Sequence, residues 1–184
     1  PFLSDQDRMR SSHPDRGAAE AGVEGVKSLP VFPVGFFSTQ AIDAMAGPLN
    51  LVVANSMPLR DLDAFLSTDL RDWAIRGKRG ANGIDGQVST AIGMAAGSSA
   101  PTVLLAGDLT VLHDLGGLTA ARRLGVDLTV VMVDNDGGGI FSFLPIANRE
   151  HVDHRRLFHT PHGLDLTHAA HLASATLYQP TDRP

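Results

Sequence analysis

Short apolar segments alternate with amphipathic segments along the chain after residue 36. The runs 49–54 (LNLVVA), 102–106 (TVLLA) and 127–133 (DLTVVMV) are apolar at almost every position, which is typical of strands buried on both faces of a sheet. A brief additional strand is predicted at 74–75. The segments between them predict helices at 38–46, 58–66, 88–97, 110–124 and 165–173. This alternation predicts an α/β fold, a parallel sheet with helices on both faces.

The pattern divides the chain near residue 35. Residues 1–35 are weakly patterned and rich in turn-forming and charged residues, so we expect a linker or the remnant of a preceding domain. Residues 36–184 carry the whole α/β pattern and form the predicted domain.

Composition narrows the function classes. The chain has 184 residues, 43% of them hydrophobic, which is enough for one domain with a real core. Its net charge of −5 and the lack of a basic stripe argue against nucleic-acid binding. With no cysteine, disulfide scaffolds, thiolate zinc sites and cysteine nucleophiles are excluded. The apolar runs are too short to span a bilayer and the first residues do not form a signal peptide, so we expect a cytoplasmic protein.

Polar and glycine-rich loops follow the predicted strands. In parallel sheets, ligands bind beyond the carboxyl ends of the strands. Asp108 offers a carboxylate after one strand, while Asn135 offers an amide oxygen and Gly137 a main-chain carbonyl after the next. Three oxygens from two loops suit Mg²⁺, and the glycines let backbone N–H groups approach a diphosphate. Either loop alone could be an ordinary turn, but their joint position after buried strands favours a ligand site.

These loops carry a recognisable motif. Gly107-Asp108, followed by Asn135 and a small residue two positions later, resembles the cofactor motif of thiamine diphosphate enzymes. The wider family usually has Gly-Asp-Gly and Asn-Asn, where this chain has Leu109 and Asp134. The segments RGANGIDG (79–86), AGDLTVLHDLGGL (106–118) and NDGGGIFSFLP (135–145) resemble the 2-succinyl-5-enolpyruvyl-6-hydroxy-3-cyclohexene-1-carboxylate synthases (MenD) of menaquinone biosynthesis. The resemblance covers about residues 49–166.

The resemblance implies a transferase that decarboxylates 2-oxoglutarate and adds the succinyl carbanion equivalent to isochorismate. It implies thiamine diphosphate and Mg²⁺ (or Mn²⁺) as cofactors, with Asp108, Asn135 and Gly137 as the metal ligands. The residues implied in cofactor binding are Ile84, Gly107, Asp108, Leu109, Asn135, Gly137, Gly138 and Ile140. Those implied in substrate binding are Ser56, Arg60, Arg79, Ile140, Phe141 and Leu144.

The resemblance also implies that a catalytic residue of the family is missing from this chain. In the family, a glutamate that activates the cofactor comes from a separate pyrimidine-binding domain on a second subunit. Glu20, Glu24 and Glu150 do not lie in such a motif, so we expect no catalytic residue in this chain. We therefore expect a homodimer or other homo-oligomer, a domain truncated at its C-terminus, and no activity from the chain alone.

Other functions remain open at this point. The chain could be a non-catalytic diphosphate-binding fragment, or part of another thiamine enzyme such as a 2-oxoacid decarboxylase or acetolactate synthase. Leu109 and the run 79–86 argue against the latter. A nucleotide-binding Rossmann domain fits less well, because the glycines at 80, 83 and 86 lack the spacing it requires.

The histidines and two further aspartates have plainer interpretations. Histidine pairs three residues apart could hold zinc on a helix, but Pro161 interrupts one pair and no cysteine supports them. We expect residues 159–162 to form a loop near the mouth of the active site. Asp85 is expected to cap the helix after it, and Asp114 to face solvent or pair with Arg122 or Arg123.

Overall fold

Four strands and six α-helices make up most of the described chain. The computed structural model describes residues 35–69, 71–78 and 80–179. The strands are β1 (Leu49–Val53), β2 (Trp73–Gly77), β3 (Thr102–Gly107) and β4 (Leu128–Val133). The helices are α1 (Gly35–Asp43), α2 (Met57–Phe65), α3 (Gln87–Ala96), α4 (Asp108–His113), α5 (Leu115–Leu124) and α6 (Thr167–Ala173). Shorter helical turns lie at Gly139–Phe143, Pro145–Asn148 and Arg155–His159.

The strands form one parallel sheet in the order β2-β1-β3-β4. Leu51 of β1 pairs with Val103 of β3, and Leu105 of β3 pairs with Val131 of β4. From β1 the chain builds β2 on one side, then crosses back to build β3 on the other. The carboxyl ends of β1 and β3 therefore flank the switch point, where sheets of this kind bind ligands.

Helices cover both faces of the sheet. On one face, Leu104 and Ala106 of β3 pack with Val88 of α3 and Leu118 of α5. On the other, the alternate residue Leu105 packs in a second cluster with residues of α1 and α2. Because successive residues of a strand point to opposite faces, β3 must be apolar throughout. The predicted fold class is confirmed.

One helix predicted from the sequence is divided into two helices in the structure. The segment 110–124 is interrupted at Asp114, where α4 ends and α5 begins. The carboxylate of Asp114 accepts hydrogen bonds from the backbone N–H and the hydroxyl of Ser89 on α3, at 2.6 and 2.8 Å. Asp114 is thus paired with α3 and not with the predicted arginines. Leu124, which helical spacing would turn inward, is 54% exposed.

Two further expectations concern helix ends and the chain termini. Asp85 does not cap α3: that helix begins after Gly86, in the left-handed conformation at φ 63°, without a side-chain cap. The predicted linker at 1–35 lies almost wholly outside the described residues. No helix in the described ranges is long and apolar enough to cross a membrane.

Candidate functional site

The carboxylate of Asp108 is the centre of the candidate site. Gly107 ends β3 and Asp108 begins α4, so the side chain stands at the carboxyl edge of the sheet, only 2% exposed. Its Oδ2 atom accepts hydrogen bonds from the backbone N–H groups of Gly137, at 2.8 Å, and Asn135, at 3.2 Å. Its Oδ1 atom accepts one from the N–H of Leu109, at 2.6 Å. The two loops that the sequence singled out are therefore joined at Asp108.

The cluster around Asp108 includes a residue whose role the sequence did not reveal. Nε2 of His162 lies 3.2 Å from Oδ2 of Asp108 and 3.7 Å from Oδ1 of Asp134. Asp136 lies on the other side of the ring, with its Oδ1 3.8 Å from Nδ1. One potential ligand atom from each of Asp108, Asp134 and His162 lies within 4.8 Å of the other two. The predicted loop near the site therefore contributes a side chain to its centre.

Burial dominates the electrostatics of Asp108. Desolvation raises the pKa of this carboxyl above its usual value, the hydrogen bonds from Gly137 and Leu109 oppose that shift, and the charge of Asp134 adds to it. At Asp136, desolvation is outweighed by the hydrogen bond from Gly163 and by the charges of His162 and Arg155, so the pKa of this carboxyl is lowered. A cation near Asp108 would offset the cost of burying its charge.

The loop 134–139 has no room for side chains at its glycines. Gly137 has φ +136°, and a Cβ there would collide with the backbone oxygen of His159. A Cβ on Gly139 would collide with the amide of Asn135. The N–H of Gly138 donates to the oxygen of His159 at 2.7 Å. The glycines thus allow the loop to fold tightly against the segment that follows it.

A second unpredicted residue holds the glycine loop at 80–86. Asn55 directly follows β1 and is 3% exposed. Its Nδ2 group donates to the backbone oxygens of Ala81, at 2.9 Å, and Gly83, at 2.7 Å. Gln87 also donates to the oxygen of Gly83. Ile84, half-buried, follows directly, so its position is fixed by hydrogen bonds that reach back to the end of β1.

Ser56 and Arg60 lie together at the carboxyl end of β1. Ser56 has φ 76° and ψ −137°, a sparsely populated conformation for a residue other than glycine. One guanidinium N–H of Arg60, one turn along α2, donates to the backbone oxygen of Ser56 at 2.9 Å. Strained backbone of this kind persists where the surroundings enforce it, and it concentrates at functional sites. Arg79, the other predicted arginine, lies outside the described residues.

The apolar residues that the resemblance implies in substrate binding follow the loop 134–139. Ile140 is half-buried, while Phe141 and Leu144 are 39% and 45% exposed. Phe141 and Phe158 meet edge to face, with ring centroids 6.1 Å apart. These apolar side chains therefore follow the loop 134–139 with part of their surface exposed.

Residues 65–177 match the family described as "Thiamine pyrophosphate enzyme, C-terminal TPP binding domain". The matched segment contains both loops joined at Asp108. The chain belongs to the thiamine pyrophosphate enzyme family. Thiamine pyrophosphate is the same compound as thiamine diphosphate.

Similar proteins place the chain more narrowly within the thiamine pyrophosphate enzymes. It is 52% identical over 180 residues to the 2-succinyl-5-enolpyruvyl-6-hydroxy-3-cyclohexene-1-carboxylate synthase of Myxococcus xanthus, covering 97% of this chain and 29% of that protein. It is 51% identical over 127 residues to the synthase of the same name from Bacillus velezensis, covering 69% and 22%. The resemblance to these synthases is confirmed, and the chain spans less than a third of their length.

A solved structure shares the fold. The crystal structure of benzoylformate decarboxylase from Polynucleobacter necessarius matches 89% of this chain and 31% of its own, with a TM-score of 0.61 and 17% identity. At that identity the likeness shows a common fold.

Proposed function

We propose that this chain is the part of a 2-succinyl-5-enolpyruvyl-6-hydroxy-3-cyclohexene-1-carboxylate synthase that holds the diphosphate of thiamine diphosphate and its divalent cation. The reaction is decarboxylation of 2-oxoglutarate and addition of the succinyl group to isochorismate. The observation that carries the proposal is the buried carboxylate of Asp108, to which the backbone of Asn135 and Gly137 is bonded. The names of the similar synthases support this reaction because they state its product.

The residues present fit a hard divalent cation. Oδ2 of Asp108 accepts three hydrogen bonds, whereas Oδ1 accepts one and has capacity for another partner. The amide oxygen of Asn135 and the carbonyl of Gly137 would complete a set of oxygen ligands, which suits Mg²⁺ or Mn²⁺. The lack of a side chain on Gly139 supports this, because it makes room for the Asn135 amide.

Other residues of the chain would bind and orient the reactants. Gly107, Leu109 and Gly138 border the proposed diphosphate site, and Ile84 would support the cofactor rings. Thiamine diphosphate, when bound, would supply the electron sink that decarboxylation requires. Around it, Ile140, Phe141 and Leu144 would exclude water from the reacting carbon.

Substrate carboxylates require cations and hydrogen-bond donors. We assign this task to Arg60, Arg79 and Ser56. The strained backbone of Ser56 supports the assignment, as does the hydrogen bond that holds Arg60 beside it. The glutamate that activates the cofactor would come from a pyrimidine-binding domain outside this chain. Residues 36–184 as the domain, a homodimer and a cytoplasmic location stay predictions.

Calorimetry with thiamine diphosphate tests the binding half of the proposal. We expect the chain to bind the cofactor with Mg²⁺ or Mn²⁺ and to lose that binding when EDTA removes the cation. Equal affinity with and without cation would contradict the assignment of Asp108, Asn135 and Gly137. The same titration with inorganic diphosphate shows whether the diphosphate end provides the binding.

Turnover tests the reaction. With 2-oxoglutarate, isochorismate, cofactor and Mg²⁺, the chain alone should not consume isochorismate, because the glutamate that activates the aminopyrimidine is expected on a domain outside this chain. Loss of a positioned acid or base typically costs about 10²–10⁴ in rate. Adding the rest of a related synthase should restore consumption. Rapid turnover by the chain alone would refute the domain assignment, and binding without turnover in the completed enzyme would favour a non-catalytic diphosphate-binding role.

A further inference from the structure

His162 reaches the proposed cation site from a different part of the chain. It lies 54 residues after Asp108, beyond the helical turn at Arg155–His159, yet its Nε2 is 3.2 Å from Oδ2 of Asp108. Its side chain is 9% exposed. Of the three described groups that bond Oδ2 of Asp108, two are backbone N–H groups of the loop 134–139. His162 is the third, and it ties the following segment to that carboxylate.

The hydrogen bond at the other ring nitrogen fixes the tautomer. The backbone N–H of Leu164 points at Nδ1 of His162, with a nitrogen–nitrogen distance of 3.0 Å. Since an N–H group needs an acceptor, the neutral form of the ring accepts at Nδ1 and carries its hydrogen on Nε2. The ring therefore donates from Nε2 to Oδ2 of Asp108. A nitrogen that holds this hydrogen has no lone pair for a metal, so the contact orients Asp108 and does not make His162 a ligand.

We propose that His162 is a positioning residue for the cation site: it holds Asp108 so that Oδ1 faces the cation. The proposal rests on the function proposed above. With Oδ2 fixed by His162, Asn135 and Gly137, rotation of the carboxylate about its Cβ–Cγ bond would break three hydrogen bonds together. Partners that orient a metal ligand in this way typically contribute about 10–100-fold to metal affinity.

The test measures Mn²⁺ binding in the presence of thiamine diphosphate, by the loss of the free Mn²⁺ signal in electron paramagnetic resonance. His162→Leu removes the donor and should weaken Mn²⁺ binding by about 10–100-fold. His162→Gln carries an amide nitrogen near the position of Nε2 and should recover most of the loss. His162→Asn reaches only the position of Nδ1 and should not.

Matched controls separate positioning from folding. His168→Leu makes the same change at an exposed position of α6 and should leave Mn²⁺ affinity unaltered. Thermal unfolding without cation identifies a variant that fails to fold. If His162→Leu does not fold, the comparison of His162→Gln with His162→Asn decides, because both are polar and differ in reach.

Three results have distinct meanings. Unchanged Mn²⁺ affinity in His162→Leu overturns the positioning role. An equal loss of Mn²⁺ affinity in His162→Gln and His162→Asn also overturns the positioning role, because recovery should depend on where the amide N–H donor lies. Failure of the unaltered chain to bind Mn²⁺ with the cofactor overturns the proposed function itself.

Discussion

Replacing Asp108 separates two tasks that its carboxylate performs. Oδ2 holds the loop 134–139, while Oδ1 is proposed to meet the cation. In Asp108→Asn, the remaining oxygen can occupy the Oδ2 position and accept the same N–H groups. The amide nitrogen then stands at the Oδ1 position, where it cannot bind a cation and opposes the N–H of Leu109. Asp108→Ala removes both tasks at once.

The magnitudes follow from the hydrogen bonds. A bond to a charged acceptor contributes about 1.5–3 kcal/mol, and one to a neutral acceptor about 0.5–1.5 kcal/mol. In Asp108→Asn, weaker bonds are partly offset because a buried charge is removed, so we expect a loss of about 1–2 kcal/mol in the free energy of unfolding. Asp108→Ala leaves the N–H groups of Gly137 and Asn135 without their acceptor, and should cost about 3–5 kcal/mol.

Binding should respond differently from stability. Both Asp108 variants lose the one ionised oxygen of the proposed ligand set, so Mg²⁺-dependent affinity for thiamine diphosphate should fall by more than about 100-fold. Urea denaturation gives the free energy of unfolding, and calorimetry gives the affinity. Asp127→Asn is the control, since that exposed side chain precedes β4 at the opposite edge of the sheet. If Asp108→Asn binds the cofactor as tightly as the unaltered chain, the cation assignment is wrong. If Asp108→Asn and Asp108→Ala are equally stable, Asp108 does not hold the loop 134–139.

Three further predictions concern stability. Burial raises the pKa of Asp61 from 3.8 to about 6, so its contribution to stability is full below pH 3.8 and is lost as pH rises through 6. In Asp61→Asn, the free energy of unfolding should fall by about 2–3 kcal/mol less over this pH range than in the unaltered chain. Urea denaturation between roughly pH 3.5 and 7 measures this difference. Identical pH profiles of the two proteins would contradict the assignment. Ser56→Gly should relieve backbone strain and raise the free energy of unfolding by about 1 kcal/mol, whereas Ser56→Ala should not; thermal unfolding compares them. Gly139→Ala should destabilise by about 1–3 kcal/mol through collision with Asn135, while Gly116→Ala, with open space around it on α5, should be neutral or stabilising; equal melting temperatures would count against the collision.

The sheet was predictable because its inner strands are buried on both faces. A run such as TVLLA has no polar face to show solvent, so its sequence alone indicates a covered parallel strand. β2 was predicted too short, at 74–75, because it is an edge strand: Ile75, Arg76 and Gly77 are exposed and carry no continuous apolar signal. The break at Asp114 depends on Ser89 of a neighbouring helix, and helical periodicity cannot reveal such a contact.

The candidate site was predictable where its residues follow strands directly. Asp108 and the loop at Asn135 and Gly137 come together because β3 and β4 are parallel neighbours. The position of His162 could not be derived in this way, because 54 residues and several irregular turns separate it from Asp108. Asn55 was missed although it follows β1, because its amide bonds backbone oxygens of a distant loop.

The loop 134–139 also limits how the protein can vary. At Gly137 a side chain would meet the backbone oxygen of His159, at Gly138 the backbone of Phe158 and the ring of Phe141, and at Gly139 the amide of Asn135. Saturation mutagenesis should therefore find that Gly137 and Gly138 tolerate almost no other amino acid, whereas a side chain at Gly139 would require the Asn135 amide to shift. Because two of the obstacles are main-chain atoms, a compensating side-chain change elsewhere cannot remove them. Laboratory evolution toward new substrates would have to keep Gly137 and Gly138 and alter the apolar residues after them.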